Sequence, residues 1–303
     1  MAEYYDPATY PKEWNYLQPG TIIDQYVIER ELAHGGFSSV YLARQREDQI
    51  QVAIKEYLPR KLAHRTWNNK VVTNDEESLR LFQCGRNLFL EEAKVLANLK
   101  HPNIVEVVSF FSANSTVYIV MTYDYGIGLD KMIKQKKMKV TLEFLLTVFN
   151  ALLDGVEKIH QHNVVHLDIK PANILIRPGY NPLLLDFGAV QAFPSMTQKQ
   201  RSKVVSKGFS PVEQCHGQTQ LIGPWTDLYA VGASIRSCLD AKAPISSIER
   251  LKKDTLAPAV KVYKRKFPET FLQAIDWAMA IEPERRPQSV QEFKQEFQLL
   301  TEA

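Results

Sequence analysis

Over the first third of the chain, apolar and polar positions alternate in short runs. Tyr26-Val27-Ile28, Val40-Tyr41-Leu42-Ala43 and Gln51-Val52-Ala53-Ile54 are separated by polar breaks and predict three antiparallel strands. After a long polar insertion, Leu88, Glu92, Val95, Leu96 and Leu99 recur at three- and four-residue spacing, which predicts an amphipathic helix over residues 88–99. His101-Pro102-Asn103 ends it, and apolar runs over 104–111 and 116–121 flank a turn at Ala113-Asn114-Ser115 as a hairpin would. Beyond Gly126-Ile127-Gly128 the period lengthens to that of helices, over residues 141–160, 225–239, 270–280 and 289–300. Residues 1–20 carry Tyr10, Trp14 and Tyr16 but neither period, and read as an extended arm that docks on its own domain in preference to a partner. The pattern is that of an α+β protein: a β-rich first lobe with one main helix, then a mainly helical second lobe. No internal repeat or low-complexity tract interrupts it.

Composition narrows the class. A chain of 303 residues, 45% hydrophobic and 23% charged, has the make-up of a soluble globular protein with room for one large or two moderate domains. Thirty-seven basic against thirty-four acidic residues leave a formal charge of +3, too balanced for nucleic acid or an anionic membrane to be the obligatory partner. Cys84, Cys215 and Cys238 lie far apart and form no CxxC, as expected of reduced thiols. The N-terminus lacks the basic start and apolar core of a signal peptide. The strongest apolar stretch, 140–153, is broken by Thr141, Glu143, Thr147 and Asn150 and is too short to span a bilayer. A cytoplasmic location is expected.

Candidate chemistry lies at four places. Leu32-Ala33-His34-Gly35-Gly36-Phe37-Ser38-Ser39-Val40 joins two predicted strands; small residues there let backbone N–H groups approach phosphate oxygens, although a glycine-containing hairpin turn fits the stretch equally well in isolation. Val52-Ala53-Ile54-Lys55 ends an apolar strand on a lysine whose buried stem calls for an anion near its ammonium, unless it merely snorkels to solvent. Glu92, on the following helix, is its natural partner. The most specific segment runs His166-Leu167-Asp168-Ile169-Lys170-Pro171-Ala172-Asn173 and then Leu185-Asp186-Phe187-Gly188. Phosphoryl transfer needs a carboxylate to orient the attacking hydroxyl and oxygen ligands to hold Mg²⁺ on the phosphates; Asp168, Asn173 and Asp186 are of those types in that order.

In its glycine-rich loop, V-A-I-K, helix glutamate, H-x-D-x-K-x-x-N, D-F-G and the Pro211-Val212-Glu213 segment, the chain resembles the eukaryotic-type protein kinases, and in phrasing their bacterial serine/threonine members. The likeness covers roughly residues 22–300 and implies a bilobal kinase fold. On it, residues 1–21 are an N-terminal arm, 22–121 the N-lobe with an insertion at about 57–86, 122–126 the hinge and 127–303 the C-lobe. It makes Lys55 the phosphate lysine, Glu92 its partner, Asp168 the catalytic base, Lys170 the residue that steadies the γ-phosphate, and Asn173 and Asp186 the ligands of Mg²⁺, with Mn²⁺ as an alternative ion. Ala33, His34, Gly35, Gly36, Phe37 and Ser38 become the phosphate loop. Met121 becomes the gatekeeper, Thr122, Tyr123 and Asp124 the hinge whose backbone meets the adenine edge, and Val40, Ala53 and Leu175 the walls of the adenine slot. Ser206 takes the place of a threonine that bonds the catalytic Asp and Lys. Arg286 pairs with Glu213, and Asp227 braces the catalytic loop. ATP and protein substrates are the implied partners.

Three departures qualify the resemblance. Ala33 and Ser38 replace loop glycines, so the loop is stiffer and a weaker ATP affinity is allowed without loss of activity. Leu167 stands where regulated kinases carry the arginine that receives an activation-loop phosphate, so that phosphate is not expected to be the master switch. Glu92 follows Lys55 only after a long insertion containing Trp67, Asn68-Asn69 and Asp75-Glu76-Glu77, which is expected to steer the helix directly or through a regulatory partner. Lys131, Lys134, Lys136, Lys137 and Lys139 read as a solvated face, whereas Lys199, Arg201, Lys203 and Lys207 fall where substrate should lie and favour acidic residues near the phosphoacceptor. A nucleotide-binding pseudokinase and a small-molecule kinase are the alternatives; Lys170, the Pro-Val-Glu segment and Arg286 weigh against the second.

Overall fold

A computed structural model describes residues 16–135, 139–187, 191–192 and 205–298, without the side chains of Glu92, Gln191, Ala192 and Gln298. The chain divides into two compact units: one reaches to Lys100 and takes in Glu106–Asp124, the other comprises His101–Val105 and the chain from Tyr125.

The first unit runs β1 (Ile22–Ile23), β2 (Tyr26–His34), β3 (Ser38–Gln45), β4 (Gln51–Tyr57), β5 (Ala63–Arg65), β6 (Val71–Thr73), α1 (Glu76–Ala97), β7 (Val107–Ala113) and β8 (Thr116–Thr122). Six strands form an antiparallel sheet in the order β1-β2-β3-β4-β8-β7, and β5 pairs with β6 apart from it. Because side chains alternate across a strand, Tyr26, Ile28, Tyr41, Ala43, Val52, Ile54, Tyr118 and Val120 meet on one face as the core. Leu17 closes that core at 2% exposure, with its N–H on the Tyr41 hydroxyl at 3.3 Å. The end of the N-terminal arm thus docks on its own unit; Tyr10 and Trp14 lie outside the described residues.

The main helix begins at Glu76, well before the predicted 88. Asp75 caps it by accepting from Ser78 N–H at 2.7 Å, and Glu76 and Glu77 in the first turn suit the positive end of the helix dipole. The first half hides its period because only Ser78 and Phe82 are buried there, among exposed polar residues and the exposed Leu79 and Leu81. Most of the insertion is therefore ordered structure: a β5–β6 hairpin running straight into α1.

The second unit contains β9 (Ile127–Gly128), α2 (Leu129–Lys134), α3 (Leu142–His160), β10 (Val164–Val165), β11 (Ile174–Arg177), β12 (Asn181–Leu184) and β13 (Gln191–Ala192). There follow α4 (Val212–His216), α5 (Pro224–Asp240), α6 (Ser247–Lys252), α7 (Ala259–Tyr263), α8 (Glu269–Ala278) and α9 (Val290–Gln298). α3 buries Leu145, Val148, Phe149, Leu152, Leu153, Val156 and Ile159 along one stripe, while α5 is buried from Thr226 to Cys238 and forms the centre. Ile104 and Val105, expected to open the hairpin, instead join this unit: Val105 N–H donates to Leu184 O at 3.0 Å, and the hairpin starts at Val107. Among the described residues no helix is long and apolar enough to cross a membrane.

Candidate active site

In the first unit, the sheet register gathers the predicted nucleotide residues. Val40 pairs with both Ala33 and Lys55, and Ala53 pairs with Leu42 and Met121. Val40 and Ala53 are half-buried on the face opposite the closed core, so an apolar wall stays open there. Gly35 and Gly36 have ordinary negative φ, and a Cβ on Gly36 would meet nothing within 4 Å. The turn itself therefore does not require these glycines, and the space beside the Gly36 backbone is open to approach. Leu58 N–H and Arg60 N–H donate to the carbonyls of Phe37 and Gly36 at 2.9 and 3.1 Å, so the run-out of β4 braces the loop, with Phe37 exposed at its tip. Lys55 is 4% exposed, its Nζ 5.3 Å from the Phe89 ring centroid. Glu92 lies on α1, but its carboxylate is outside the described part. Thr122 N–H closes on Glu106 O at 3.0 Å, and Tyr123 and Asp124 follow outside any regular element.

In the second unit the segment after β10 is held by one carboxylate. Asp227, fully buried on α5, accepts from His166 N–H and Leu167 N–H at 2.8 Å each and from His160 Nε2 at 2.8 Å. Burial works against its charge, but the His160 ring and the loop N–H groups outweigh it and hold the carboxyl below the usual range. Burial likewise lowers His166, keeping the ring neutral, so its Nδ1 accepts from Asp168 N–H at 3.2 Å. Leu167 adopts φ +63°, which turns the chain so that Asp168 faces inward at 8% exposure.

Around Asp168 the expected partners converge. Lys170 Nζ donates to both carboxylate oxygens at 2.8 Å and to Ser206 Oγ at 2.9 Å, and Ser206 Oγ donates to Oδ1 at 2.7 Å. Asn173 Nδ2 donates to Asp168 O and Oδ2, both at 2.9 Å. That lock fixes the amide's orientation and leaves Oδ1 as its one acceptor for a cation. Asp186 is exposed at φ +54°, one residue after Leu185, whose N–H is tied to Asn173 O at 2.8 Å. Among the described residues no three His, Cys, Asp or Glu side chains cluster as a metal cage. The set fits Mg²⁺, which takes one or two protein oxygens and fills its shell with phosphate and water. Leu175 sits half-buried on β11; a Cβ on Gly126 would fall 2.7 Å from its Cγ, so glycine is needed where the chain crosses that strand.

Glu213 and Arg286 form a fully buried pair at 2.7 and 3.1 Å; Thr226 Oγ1 also donates to Glu213. Sequence reasoning missed three supports. Gln214 Nε2 holds Leu167 O at 2.6 Å, His160 shares the Asp227 carboxylate, and Leu167 packs with Val165 and Ile222. Only the spacing of His160 before the loop hinted at any of them. Lys207 pairs with Glu249 at 3.3 Å, and Lys199, Arg201 and Lys203 lie outside the described residues, as do Lys136, Lys137 and Gly188.

A glycine loop and a lysine strand in a β-rich unit, with a carboxylate–lysine–amide cluster in a helical one, are the parts of a phosphotransferase. The chain belongs to the protein kinase family: the family model described as Protein kinase domain matches residues 26–298. Among bacterial relatives, serine/threonine-protein kinase D of Synechocystis sp. PCC 6803 is 30% identical over 281 residues, 89% of this chain and 51% of its own length. PknD of Chlamydia muridarum is 28% identical over 91% of this chain and 31% of its own, and PrkC of Bacillus subtilis 27% over 90% and 40%. The chain thus spans about half or less of these curated relatives. The apo form of PpkA-294 superposes with a TM-score of 0.83 at 29% identity, covering 93% of this chain and 99% of that one.

Proposed function

We propose that this protein transfers the γ-phosphate of ATP to serine or threonine hydroxyls of protein substrates, with residues 22–121 as N-lobe, 122–126 as hinge and 127–303 as C-lobe. The observation that carries the reading is the Asp168 cluster: a carboxylate held at fixed orientation by Asn173, with the Lys170 ammonium and Ser206 hydroxyl within 2.9 Å. In it, Asp168 aligns the incoming hydroxyl and receives its proton. Lys170 swings its ammonium from Asp168 to the γ-phosphate, and Ser206 holds the carboxylate in place. Lys55, paired with Glu92, holds the α- and β-phosphates; the loop 33–38 covers them with backbone N–H groups. Val40, Ala53, Met121 and Leu175 clasp the adenine, and the backbone of 122–124 hydrogen-bonds its edge. Asn173 Oδ1 and Asp186 hold Mg²⁺, which screens the phosphate charges when bound.

The reading extends to regulation. Leu167 is 8% exposed in an apolar contact with Val165 and Ile222, and an apolar seat gives a phosphate no charge-assisted partner. Activation-loop phosphorylation is therefore not the main switch; the insertion beside α1 is the regulated element, open to a partner protein. Preference for acidic residues near the phosphoacceptor and a cytoplasmic location complete the proposal.

Radiolabelled ATP with Mg²⁺ and a generic basic protein tests it. Label on serine or threonine is expected with wild type and is lost in Asp168→Asn and Lys55→Met. ATP binding without any transfer in wild type would refute it in favour of a scaffold.

A further inference from the structure

The strand that carries Lys55 is gripped on both faces by the insertion that follows it. Strand alternation sends Val52, Ile54 and Glu56 of β4 toward the closed core, and Lys55 and Tyr57 toward α1. On the core face, Arg65 of β5 forms an ion pair with Glu56 in which both side chains are at most 1% exposed. Tyr41 and Tyr118 donate to the same carboxylate at 3.1 and 2.7 Å. On the helix face, Tyr57 is 6% exposed and wedged between Phe82 and Phe89 of α1, ring centroids 5.1 and 5.5 Å away. Phe89 is also the ring beneath the Lys55 ammonium. Burial pushes the Tyr57 phenol up to about 12, as expected of a hydroxyl driven into an apolar seat.

Between Phe82 and Phe89 the helix carries Gly85. Glycine is among the poorest helix residues, so its place within a 22-residue helix needs a reason. The phenol supplies one: a Cβ at Gly85 would stand 2.0 Å from Tyr57 Oη and 2.9 Å from Cζ. Tyr57 is the tenon and Gly85 the notch.

We propose that Tyr57 and Gly85 form a joint that sets the register of α1 against β4 and so places the Lys55 ammonium, the insertion hairpin holding the joint closed through Arg65 on one face and the Asp75 cap on the other. Both are positioning residues; the proposal rests on reading Lys55 as the phosphate lysine. With alanine at 85 the joint is about 1.4 Å short of ordinary contact with Oη. The ring cannot turn aside between its two phenylalanines, so the helix yields and carries Phe89 away from Lys55. Misplacement on the order of 1 Å in a positioning element costs about 10²-fold.

The test is steady-state kinetics on the full chain with ATP and protein substrate varied separately. Gly85→Ala is expected to lower kcat/KM for ATP by about 10- to 100-fold, leave KM for the protein substrate unchanged, and lower the melting temperature by only a few degrees, because alanine's better helix propensity partly offsets the overpacked joint. Adding Tyr57→Phe, which removes the clashing Oη, recovers part of that loss, and labelling of Lys55 by a lysine-reactive ATP analogue falls and recovers in parallel. Gln83→Ala, on the exposed face of the same helix, matches wild type throughout. If Lys55→Met is inactive while Gly85→Ala equals wild type, the joint alone is overturned. Loss in Gly85→Ala that tracks a lower melting temperature and is not recovered by Tyr57→Phe overturns it too, since packing then explains the effect. Full activity in Lys55→Met removes both readings.

Discussion

Arg65→Met tests how firmly the insertion is tied to the sheet. Methionine nearly matches the stem of arginine but removes the charge, leaving the Glu56 carboxylate buried at 0% exposure with the neutral Tyr41 and Tyr118 hydroxyls donating to it at 3.1 and 2.7 Å. Burial opposes the Arg65 charge, yet Glu56 outweighs it and raises the guanidinium pKa, so the guanidinium stays charged. Breaking such a pair from one side costs about 3–5 kcal/mol, because the surviving charge is stranded, whereas removing both charges is far milder. Urea unfolding followed by far-UV circular dichroism should therefore show Arg65→Met and Glu56→Gln each losing about 3–5 kcal/mol. The double variant should lose less than the sum by at least about 2 kcal/mol, within the range of coupling between contacting residues. Two small, additive losses would refute the reasoning and mean that water reaches the pair or that the hairpin lifts off readily.

Leu167→Ala should destabilise the protein by about 2–5 kcal/mol by opening a cavity against Val165 and Ile222, measured by the same unfolding. Alanine or aspartate in place of the Ser and Thr residues within 195–205 should leave transfer rates near wild type in the radiolabel assay. Acidification should act in two stages. His101 and His166 have lowered pKa values, so the unfolded chain takes up their protons first, and stability present above about pH 6.5 declines below it, by up to ~1.4 kcal/mol per pH unit for the buried His166 and by less for the partly exposed His101, which solvent screens. Asp227, also lowered, contributes stability above about pH 4 that is lost as pH falls further. A melting temperature flat from pH 8 to 4 would contradict the first stage, and one flat from about pH 4 down to 2 the second. Gly126→Ala should raise KM for ATP, because its Cβ displaces Leu175 and the Ile176 carbonyl, each 2.7 Å away.

The chain order of chemistry-bearing residues was legible without coordinates. Lys55 closes the apolar run Val52-Ala53-Ile54, and Asp168, Lys170 and Asn173 fall within six residues, so local sequence alone brings those three near one another. The strands also follow from two-residue alternation, and α3, α5, α8 and α9 from helical periods, since each has one buried stripe or is buried throughout. Where the period was masked, the reading fell short: the first turns of α1 bury only Ser78 and Phe82 while leaving Leu79 and Leu81 exposed, and their start was written instead in the Asp75-Glu76-Glu77 cap, a signal of chemistry and not of hydrophobicity.

Tertiary structure alone decided what those residues lean on. His160 joins the Asp227 carboxylate that the resemblance had already placed under the catalytic loop, Gln214 reaches Leu167, and Arg65 of the separate β5–β6 hairpin reaches Glu56. Nothing in the local pattern marks such pairs, because a buried polar group needs a partner but its sequence does not say which element will supply it. The same holds for Gly85, an ordinary helix blemish until the Tyr57 phenol is seen to occupy the space its missing Cβ leaves. Periodicity and spacing are properties of one segment and can be read along the chain; complementarity between two surfaces exists only once they are packed.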